Sequence, residues 1–280
     1  MIALLLSVAL AGTIEDARGQ SVAVSAPQRI VSLGGGVTEL VYALGAGDRV
    51  VAVDASSTHP AETEPLRTLG YHRQVSAEGV LSLSPDLVIA TTDAGPPVVL
   101  EQLERAGVPL VVLDASPGLP ALEGRIDMLS ALLDVPERGV SLREELSESV
   151  ARIAPDTAPR VMFIYARGGG TLNVSGSGTA AAEMIALAGA TNAVEGYEGY
   201  RPLTAESVVM AAPDVLLLTE GGLASLGGQA GLLEQPGLSQ TPAGRAGRIV
   251  VMDDLLLLGF GPRTGLAAVV LSGALQESGE

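Results

Sequence analysis

The sequence contains no cysteine, no lysine and no tryptophan, and only two phenylalanines and five tyrosines. Without cysteine, the chain cannot form disulfide bonds, thiolate metal sites, a thiol nucleophile or a lipid-modified cysteine. Its 32 acidic residues outnumber its 16 basic residues, all arginine, which gives a net charge of −16. An acidic surface argues against binding to nucleic acid or to an anionic membrane. No apolar run approaches the roughly 20 residues of a membrane span.

The N-terminus resembles an export signal of unusual form. Met1–Gly12 is apolar and ends in the small-x-small pattern Ala9-Leu10-Ala11, which is typical of a signal-peptidase site. A basic segment before the apolar run is missing, so the signal peptide is weak or truncated. Residues 15–28 are polar and small, and we expect residues 1–28 to be signal peptide and disordered lead-in. Since cysteine is absent, an exported protein is expected to be free and not lipid-anchored.

An internal repeat organises the rest of the chain. The segment S-A-E-G-V-L-S-L-S-P-D-L-V-I-A-T-T-D begins at Ser76, and T-A-E-S-V-V-M-A-A-P-D-V-L-L-L-T-E-G begins 128 residues later at Thr204. Each copy contains a hydroxyl residue that can cap a helix, a short amphipathic helix, a Pro-Asp turn and an apolar strand. The repeat predicts two lobes of similar construction.

Strand and helix patterns alternate on both sides of a helical region. They predict an α/β fold with two Rossmann-like lobes, each built on a parallel sheet. The boundaries are an N-terminal lobe at 29–119, a helical linker at 120–158 with helices at about 120–134 and 137–154, and a C-terminal lobe at 159–280. A long backbone helix between lobes predicts a stiff molecule with a ligand cleft between them.

Four motifs, spread over 29–275, resemble those of periplasmic substrate-binding proteins of the helical-backbone class, and within it the haem-binding subfamily. The motifs are V-S-L-G-G-G-V-T-E-L from Val31, L-G-Y-H-R-Q-V-S-A-E-G from Leu69, G-G-G at 168–170 with T-A-A-A-E-M-I from Thr179, and L-G-F-G-P-R from Leu258. The resemblance implies a monomeric periplasmic protein that carries one ferric haem to a dimeric inner-membrane ABC permease. It implies no enzymatic activity, no nucleic acid partner and no stable membrane insertion.

The Gly-Tyr-x-Arg segment is the most specific of these motifs. Tyr71 matches the residue that ligates haem iron in the resembling family, and a phenolate is a hard anionic donor suited to Fe(III). Arg73 matches the residue that supports the ligand, and its permanent charge can stabilise the ionised phenol. His72 lies between them, and we expect it to be a non-ligating surface residue that points away from both in an extended loop.

Three residues of the C-terminal lobe are candidates for the haem pocket. Arg167 stands where some haem-binding relatives have a histidine that can ligate the iron of a second haem. Because arginine cannot ligate iron, one haem with one protein ligand is favoured. Arg167 and Arg263 can each pair with a haem propionate or serve structure. Phe260 can lie against a porphyrin face or belong to the core. With so few aromatic residues, the pocket is expected to be lined mostly by aliphatic side chains and glycine.

The remaining predictions concern two acids at matched positions of the repeat and two glycine runs that follow strands. Glu78 and Glu206 occupy the same place in the two copies, and the resemblance implies that they dock on arginines of the permease. An acid in the first turn of a helix is also favourable by itself. The glycine runs at 34–36 and 168–170 follow strands and expose N–H groups that can face a carboxylate, although simple tight turns are the readier explanation.

Two alternatives remain open from the residues. The same fold can carry cobalamin or a ferric siderophore instead of haem. A different class is an α/β enzyme that uses the cleft for a small-molecule reaction. An enzyme would require a poised base, a nucleophile or a metal cluster, and the sequence offers no such arrangement.

Overall fold

A computed structural model describes residues 12–154, 157–167 and 172–277. The chain divides into two compact α/β units. The first takes in the residues up to Ala115 and Pro120–Arg143, and the second takes in Ser116–Leu119 and the residues from Glu144 onward. The predicted signal peptide and the glycine run at 168–170 lie outside the described residues.

The first unit is built on a parallel sheet in the order β5-β4-β3-β6-β7. The strands of this unit are β1 (Gly12–Glu15), β2 (Ser21–Val24), β3 (Ile30–Ser32), β4 (Val50–Val53), β5 (Arg67–Thr68), β6 (Leu87–Thr91) and β7 (Leu110–Leu113). The helices of this unit are α1 (Gly35–Ala43), α2 (Ala77–Leu81), α3 (Pro97–Arg105), α4 (Leu119–Leu132) and the start of α5 (Pro136–Ala151). Every residue of β6 and β7 is buried, as expected when helices cover both faces of a parallel sheet.

An antiparallel hairpin of β1 and β2 precedes this sheet. Asp16 is 4% exposed. The hairpin is tied to β7, because Ala17 N donates to Val112 O at 2.8 Å and Val112 N donates to Asp16 Oδ2 at 3.2 Å. The expectation of a disordered lead-in over residues 15–28 is therefore wrong: long-range hydrogen bonds order a segment that has little apolar surface of its own.

The two helices predicted for the region between the sheets are present. The helices expected at about 120–134 and 137–154 are α4 and α5, with ends that differ by one to three residues. Arg143 Nη1 lies 2.6 Å from Asp127 Oδ2 and so links α5 to α4. The region does not form a separate body, since the division between the units falls within α5, after Arg143. Among the residues given above, no helix is long and apolar enough to cross a membrane.

The second unit has a mixed sheet, in the order β11-β9-β8-β12-β13 with β10 beside β8. Its strands are β8 (Arg160–Tyr165), β9 (Asn173–Ser175), β10 (Thr191–Asn192), β11 (Tyr200–Pro202), β12 (Val215–Thr219) and β13 (Ile249–Met252), and its helices are the end of α5, α6 (Ala180–Leu187), α7 (Ala205–Ala211), α8 (Glu220–Ser225), α9 (Gly228–Leu233), α10 (Pro242–Ala246), α11 (Asp254–Leu258) and α12 (Thr264–Glu277). A wholly parallel sheet was expected, but β9 runs antiparallel to both β8 and β11. The chain between Tyr165 and Asn173 is too short for the crossover that parallel strands need.

The repeat is confirmed as a helix followed by a buried strand in each unit. Ser76 Oγ accepts from Gly79 N at 3.3 Å at the start of α2, and Thr204 Oγ1 accepts from Ser207 N at 3.2 Å at the start of α7. The strands that follow, β6 and β12, are buried along their whole length. The predicted caps therefore begin both helices, because each hydroxyl satisfies an N–H that has no partner within its helix.

Candidate functional site

Hydrogen-bonding groups lie close together where the strands of the first sheet end. Gly34 comes shortly after β3, Asp54 directly after β4 and Asp93 shortly after β6. Because the carboxyl ends of parallel strands share one edge of a sheet, these residues lie together, and this edge is where α/β proteins usually bind ligands. The segment Tyr71-His72-Arg73 joins them there, with His72–Gln74 forming a single 3₁₀ turn.

Asp54 anchors this edge. Its side chain is almost fully buried, and Oδ1 accepts hydrogen bonds from Gly34 N and from Ser57 Oγ, each at 2.9 Å. Oδ2 accepts from Ser56 N at 3.0 Å and from Ser56 Oγ at 2.7 Å. Burial opposes the charge, but hydrogen bonds with His72, Ser56 and Gly34 outweigh it and lower the pKa of Asp54 to about 2. The glycine run at 34–36 was expected to face a carboxylate, and the carboxylate that Gly34 meets is that of Asp54.

His72 lies between two carboxylates. Its Nδ1 is 3.2 Å from Asp54 Oδ2, its Nε2 is 3.5 Å from Asp93 Oδ2, and its backbone N donates to Asp54 Oδ2 at 3.2 Å. Burial disfavours the imidazolium, but the hydrogen bonds to Asp54 and then Asp93 outweigh burial and raise the pKa of His72 to about 9. The expectation of a surface histidine in an extended loop is wrong: the residue is only 9% exposed and begins a 3₁₀ turn.

Tyr71 and Arg73 flank the buried histidine. The Tyr71 side chain is half-buried, and its ring meets the His72 ring edge-on with 4.4 Å between centroids. Arg73 Nε donates to Asp93 Oδ2 at 3.0 Å, and its guanidinium carbon lies 5.9 Å from the centre of the Tyr71 ring, near the outer limit of a cation–π contact. The two predicted site residues are thus neighbours, and Asp93 fixes Arg73 beside the phenol.

Asp93 collects several of these contacts. Burial opposes its charge, but hydrogen bonds with His72, Thr91 and Arg73 hold the pKa of this carboxyl well below its usual range. Arg125 on α4 adds a buried cation to the same electrostatic environment, and its Nη1 donates to Asp114 O at 2.6 Å. The edge therefore holds a hydrogen-bonded set of fixed charges beside a phenol that is partly open to solvent.

The candidates from the second lobe have different environments. Arg167 is exposed and Arg263 is half-buried. Phe260 is 3% exposed within an apolar cluster that includes Leu257 and Leu271. For Phe260, the structure favours the core alternative over a ring that lies open to a porphyrin.

Both acids of the repeat are exposed in the first turn of their helices, Glu78 in α2 and Glu206 in α7. They lie at matched positions of the two units, as the repeat predicts. Glu206 has an exposed apolar neighbour, since Met210, one helical turn after it, is 77% exposed.

Sequence reasoning did not identify Asp54, Asp93 and the buried state of His72 as parts of this site. A signal was present for the two acids: each follows an apolar strand within two residues, in a lobe already expected to have a parallel sheet. That placement puts carboxylates at the ligand-binding edge. Among the residues that the structure describes, no cluster of three or more acids and histidines is arranged to hold a metal ion.

Two solved structures share this fold over nearly their whole length. The periplasmic heme-binding protein RhuT from Roseiflexus sp. RS-1, in its apo form, is 44% identical with a TM-score of 0.87, and the match covers 90% of this chain and 99% of that one. The periplasmic heme-binding protein BhuT in complex with two hemes is 40% identical with a TM-score of 0.84, over 89% and 98% of the two chains.

Two curated relatives extend the comparison. The uncharacterized ABC transporter substrate-binding lipoprotein YvrC of Bacillus subtilis is 28% identical over 261 residues, which cover 90% of this chain and 81% of that protein. The vitamin B12-binding protein of Pectobacterium atrosepticum is 30% identical over 174 residues, which cover 59% of this chain and 62% of that protein. Relatives of this chain therefore include a lipoprotein, so the likeness does not support the absence of a lipid anchor.

A family profile also matches most of the chain. The profile of the periplasmic binding protein family spans residues 30–256, which takes in β3 through most of α11. This range and the 44% identity to RhuT confirm the resemblance that the motifs indicated. The chain belongs to the periplasmic binding protein family.

Proposed function

We propose that this protein captures ferric haem through Tyr71 and delivers it to an inner-membrane ABC permease. The observation that carries the proposal is the Tyr71–Arg73 turn, held at the carboxyl edge of the first sheet by Asp93. A half-buried phenol beside a guanidinium that is paired with Asp93 suits an anionic oxygen ligand for Fe(III). The identity to RhuT and BhuT, both named heme-binding proteins, supports haem as the ligand.

The ligand set favours Tyr71 over its neighbour. Both ring nitrogens of His72 face carboxylate oxygens, whereas iron ligation needs an available nitrogen lone pair. We propose one haem per chain, because Arg167 offers no ligand for a second iron. BhuT has been solved with two hemes, so the number of haems bound per chain is a property in which we expect this protein to differ from BhuT. Arg167 and Arg263 are proposed to meet the propionates, as cations suited to carboxylates.

The site of action follows from the family. We propose that the protein works in the periplasm as a monomer, and that it acts as a carrier without catalysing a reaction. Glu78 and Glu206 are proposed to dock on arginines of a dimeric permease, since each is exposed and the two occupy matched positions. A symmetric permease can meet one acid from each unit.

Cobalamin is the second candidate ligand, because the vitamin B12-binding protein of Pectobacterium atrosepticum matches 59% of this chain. The two ligands make different demands on the protein. Ferric haem requires an axial donor such as Tyr71, whereas cobalamin already carries its own lower ligand. Loss of binding on removal of the phenol therefore separates them.

A visible-spectrum titration tests the proposal. Hemin is added to wild type, to Tyr71→Ala and to a matched control, Tyr200→Ala, which removes an exposed tyrosine of the second unit. We expect an iron–tyrosinate charge-transfer band at one equivalent in wild type and in the control, and about a hundredfold weaker binding without the band in Tyr71→Ala. An unchanged spectrum in Tyr71→Ala, or binding of cyanocobalamin in preference to hemin, would overturn the assignment.

A further inference from the structure

The buried histidine next to the proposed iron ligand has a role of its own. We infer that His72, held between Asp54 and Asp93, is a positioning residue that orients Tyr71 toward the haem iron and is itself withheld from the metal. This inference rests on the proposed function for the identity of the ligand, but the arrangement that supports it lies wholly within the first unit. The three residues are called the Asp54–His72–Asp93 clasp below.

The clasp engages every polar atom of the imidazole. The two ring nitrogens lie 3.2 Å from Asp54 Oδ2 and 3.5 Å from Asp93 Oδ2. The side chain of His72 is 11% exposed and that of Asp54 is 0% exposed. A histidine in this position lacks the free nitrogen that iron requires, although imidazole is otherwise a good ligand for haem iron.

The clasp also joins the turn to two strand ends. Asp54 is fixed at the end of β4 by hydrogen bonds from Ser56 and Ser57 and from Gly34 after β3. Asp93, after β6, accepts a hydrogen bond from Thr91 Oγ1 at 2.5 Å. His72 is therefore connected to the central part of the sheet through two independently anchored carboxylates.

The backbone of the turn is held as well. Gly95 N donates to His72 O at 3.0 Å, and Val75 N donates to Gly95 O at 3.1 Å. The imidazole packs against the adjacent phenol, since the ring centroids of Tyr71 and His72 are 4.4 Å apart with an interplanar angle of 61°. The Tyr71 side chain starts from a backbone position that the clasp determines.

The expected effect follows from the general behaviour of groups that support metal ligands. Removing such a group typically lowers metal affinity about 10- to 100-fold while the ligand itself still binds. Loss of the clasp is expected to lower affinity without changing the ligand, because Tyr71 must then be ordered when haem binds. A ligating histidine would behave differently, since its removal would change the coordination spectrum.

The test compares His72→Gln with His59→Gln, which removes the only other histidine and lies in an exposed position. Hemin affinity, the iron–tyrosinate band and hydrogen–deuterium exchange of residues 70–75 in the haem-free protein are measured for both. We expect His72→Gln to bind hemin about tenfold more weakly, to keep the tyrosinate band and to exchange faster at the turn. His59→Gln should match wild type in all three.

Asp54→Asn provides a second variant, which weakens the clasp while keeping the imidazole, and it should change affinity and exchange in the same direction with the band retained. Wild-type affinity and exchange in both variants would overturn the inference, as would loss of the tyrosinate band in His72→Gln. Failure of the proposed function looks different: wild type itself would then show no tyrosinate band. The exchange measurement still decides whether the clasp orders the turn in that case.

Discussion

The two copies of the repeat share a scaffold but differ at their last residue. In the first copy, the position after the buried strand β6 leads to Asp93, which binds His72 and Arg73. In the second copy the matched position is Gly221, whose N–H donates to Asp254 Oδ2 at 3.0 Å within the start of α8.

This difference separates what the scaffold does from what the site does. In both units the capped helix and the buried strand supply core packing, and their sequences are closely similar. The chemistry depends on one position after the strand: in the first copy the carboxylate of Asp93 binds the adjacent loop, whereas in the second copy Gly221 lies in the first turn of α8, which Thr219 caps. The repeat alone therefore predicts where a site can form, and the strand-end residue decides whether it does.

Asp54 should have the largest effect on stability. The hydrogen bonds to Asp54 lower its pKa from the ordinary value of 3.8 to about 2 in the folded protein, so the stabilisation by this carboxylate is present above about pH 3.8 and is lost as the pH falls toward 2. Asp54→Asn is expected to lower the free energy of unfolding at pH 7 by about 2 kcal/mol, and the difference from wild type should shrink below about pH 4. Urea denaturation across this pH range measures both.

The matched control is Asp254→Asn, which changes the exposed acid that serves Gly221 in the second unit. It should change the free energy of unfolding by less than about 0.5 kcal/mol. Equal losses in the two variants would mean that the strand ends of the two units do not differ in the way described.

Arg73 should have the next largest effect, on haem affinity. Arg73→Ala removes the guanidinium beside Tyr71 and one partner of Asp93. We expect hemin to bind about tenfold more weakly, because a charge-assisted hydrogen-bonding group near the phenolate is lost. Arg201→Ala, which removes a guanidinium 4.3 Å from the Tyr197 ring in the second unit, should leave affinity unchanged. If the second variant binds hemin as weakly as the first, nonspecific charge explains both.

The paired acids should give the smallest effect, on delivery alone. Replacing Glu78 and Glu206 together by alanine is expected to reduce association with the permease about threefold, more at low salt, because exposed charge pairs are weak and screened. Single changes should be milder, and hemin titration should be unaffected. Transport in reconstituted vesicles measures the effect, with Glu144→Ala/Glu148→Ala on α5 as a charge-matched control. Wild-type transport by the Glu78/Glu206 double variant would leave both as ordinary helix-start residues.

Local patterns predicted the parts of the fold that local physics determines. Ser76 and Thr204 were identified as caps, and the strands after them as buried, because capping and apolar periodicity act over a few residues. The missed hairpin at Gly12–Val24 is held by Asp16 and Val112, which are 96 residues apart. Two short strands are marginal by themselves, so their sequence carries little signal.

The site shows the same limit. Tyr71 and Arg73 were identified because their motif is contiguous. His72 was placed on the surface because its partner Asp54 is 18 residues before it and Asp93 is 21 residues after it, and only the sheet brings them together. The antiparallel strand β11 was also missed, since Tyr200-Arg201-Pro202 is too short to show alternation.

The N-terminal hairpin has a consequence for the behaviour of the protein among its own copies. Strand β7 is at the edge of the first sheet, and such strands offer unpaired N–H and C=O groups to which a strand of another molecule can add. Ala17 and Asp16 occupy both groups of Val112. The segment that composition marks as featureless thus occupies backbone groups at a sheet edge that a strand of another copy would need.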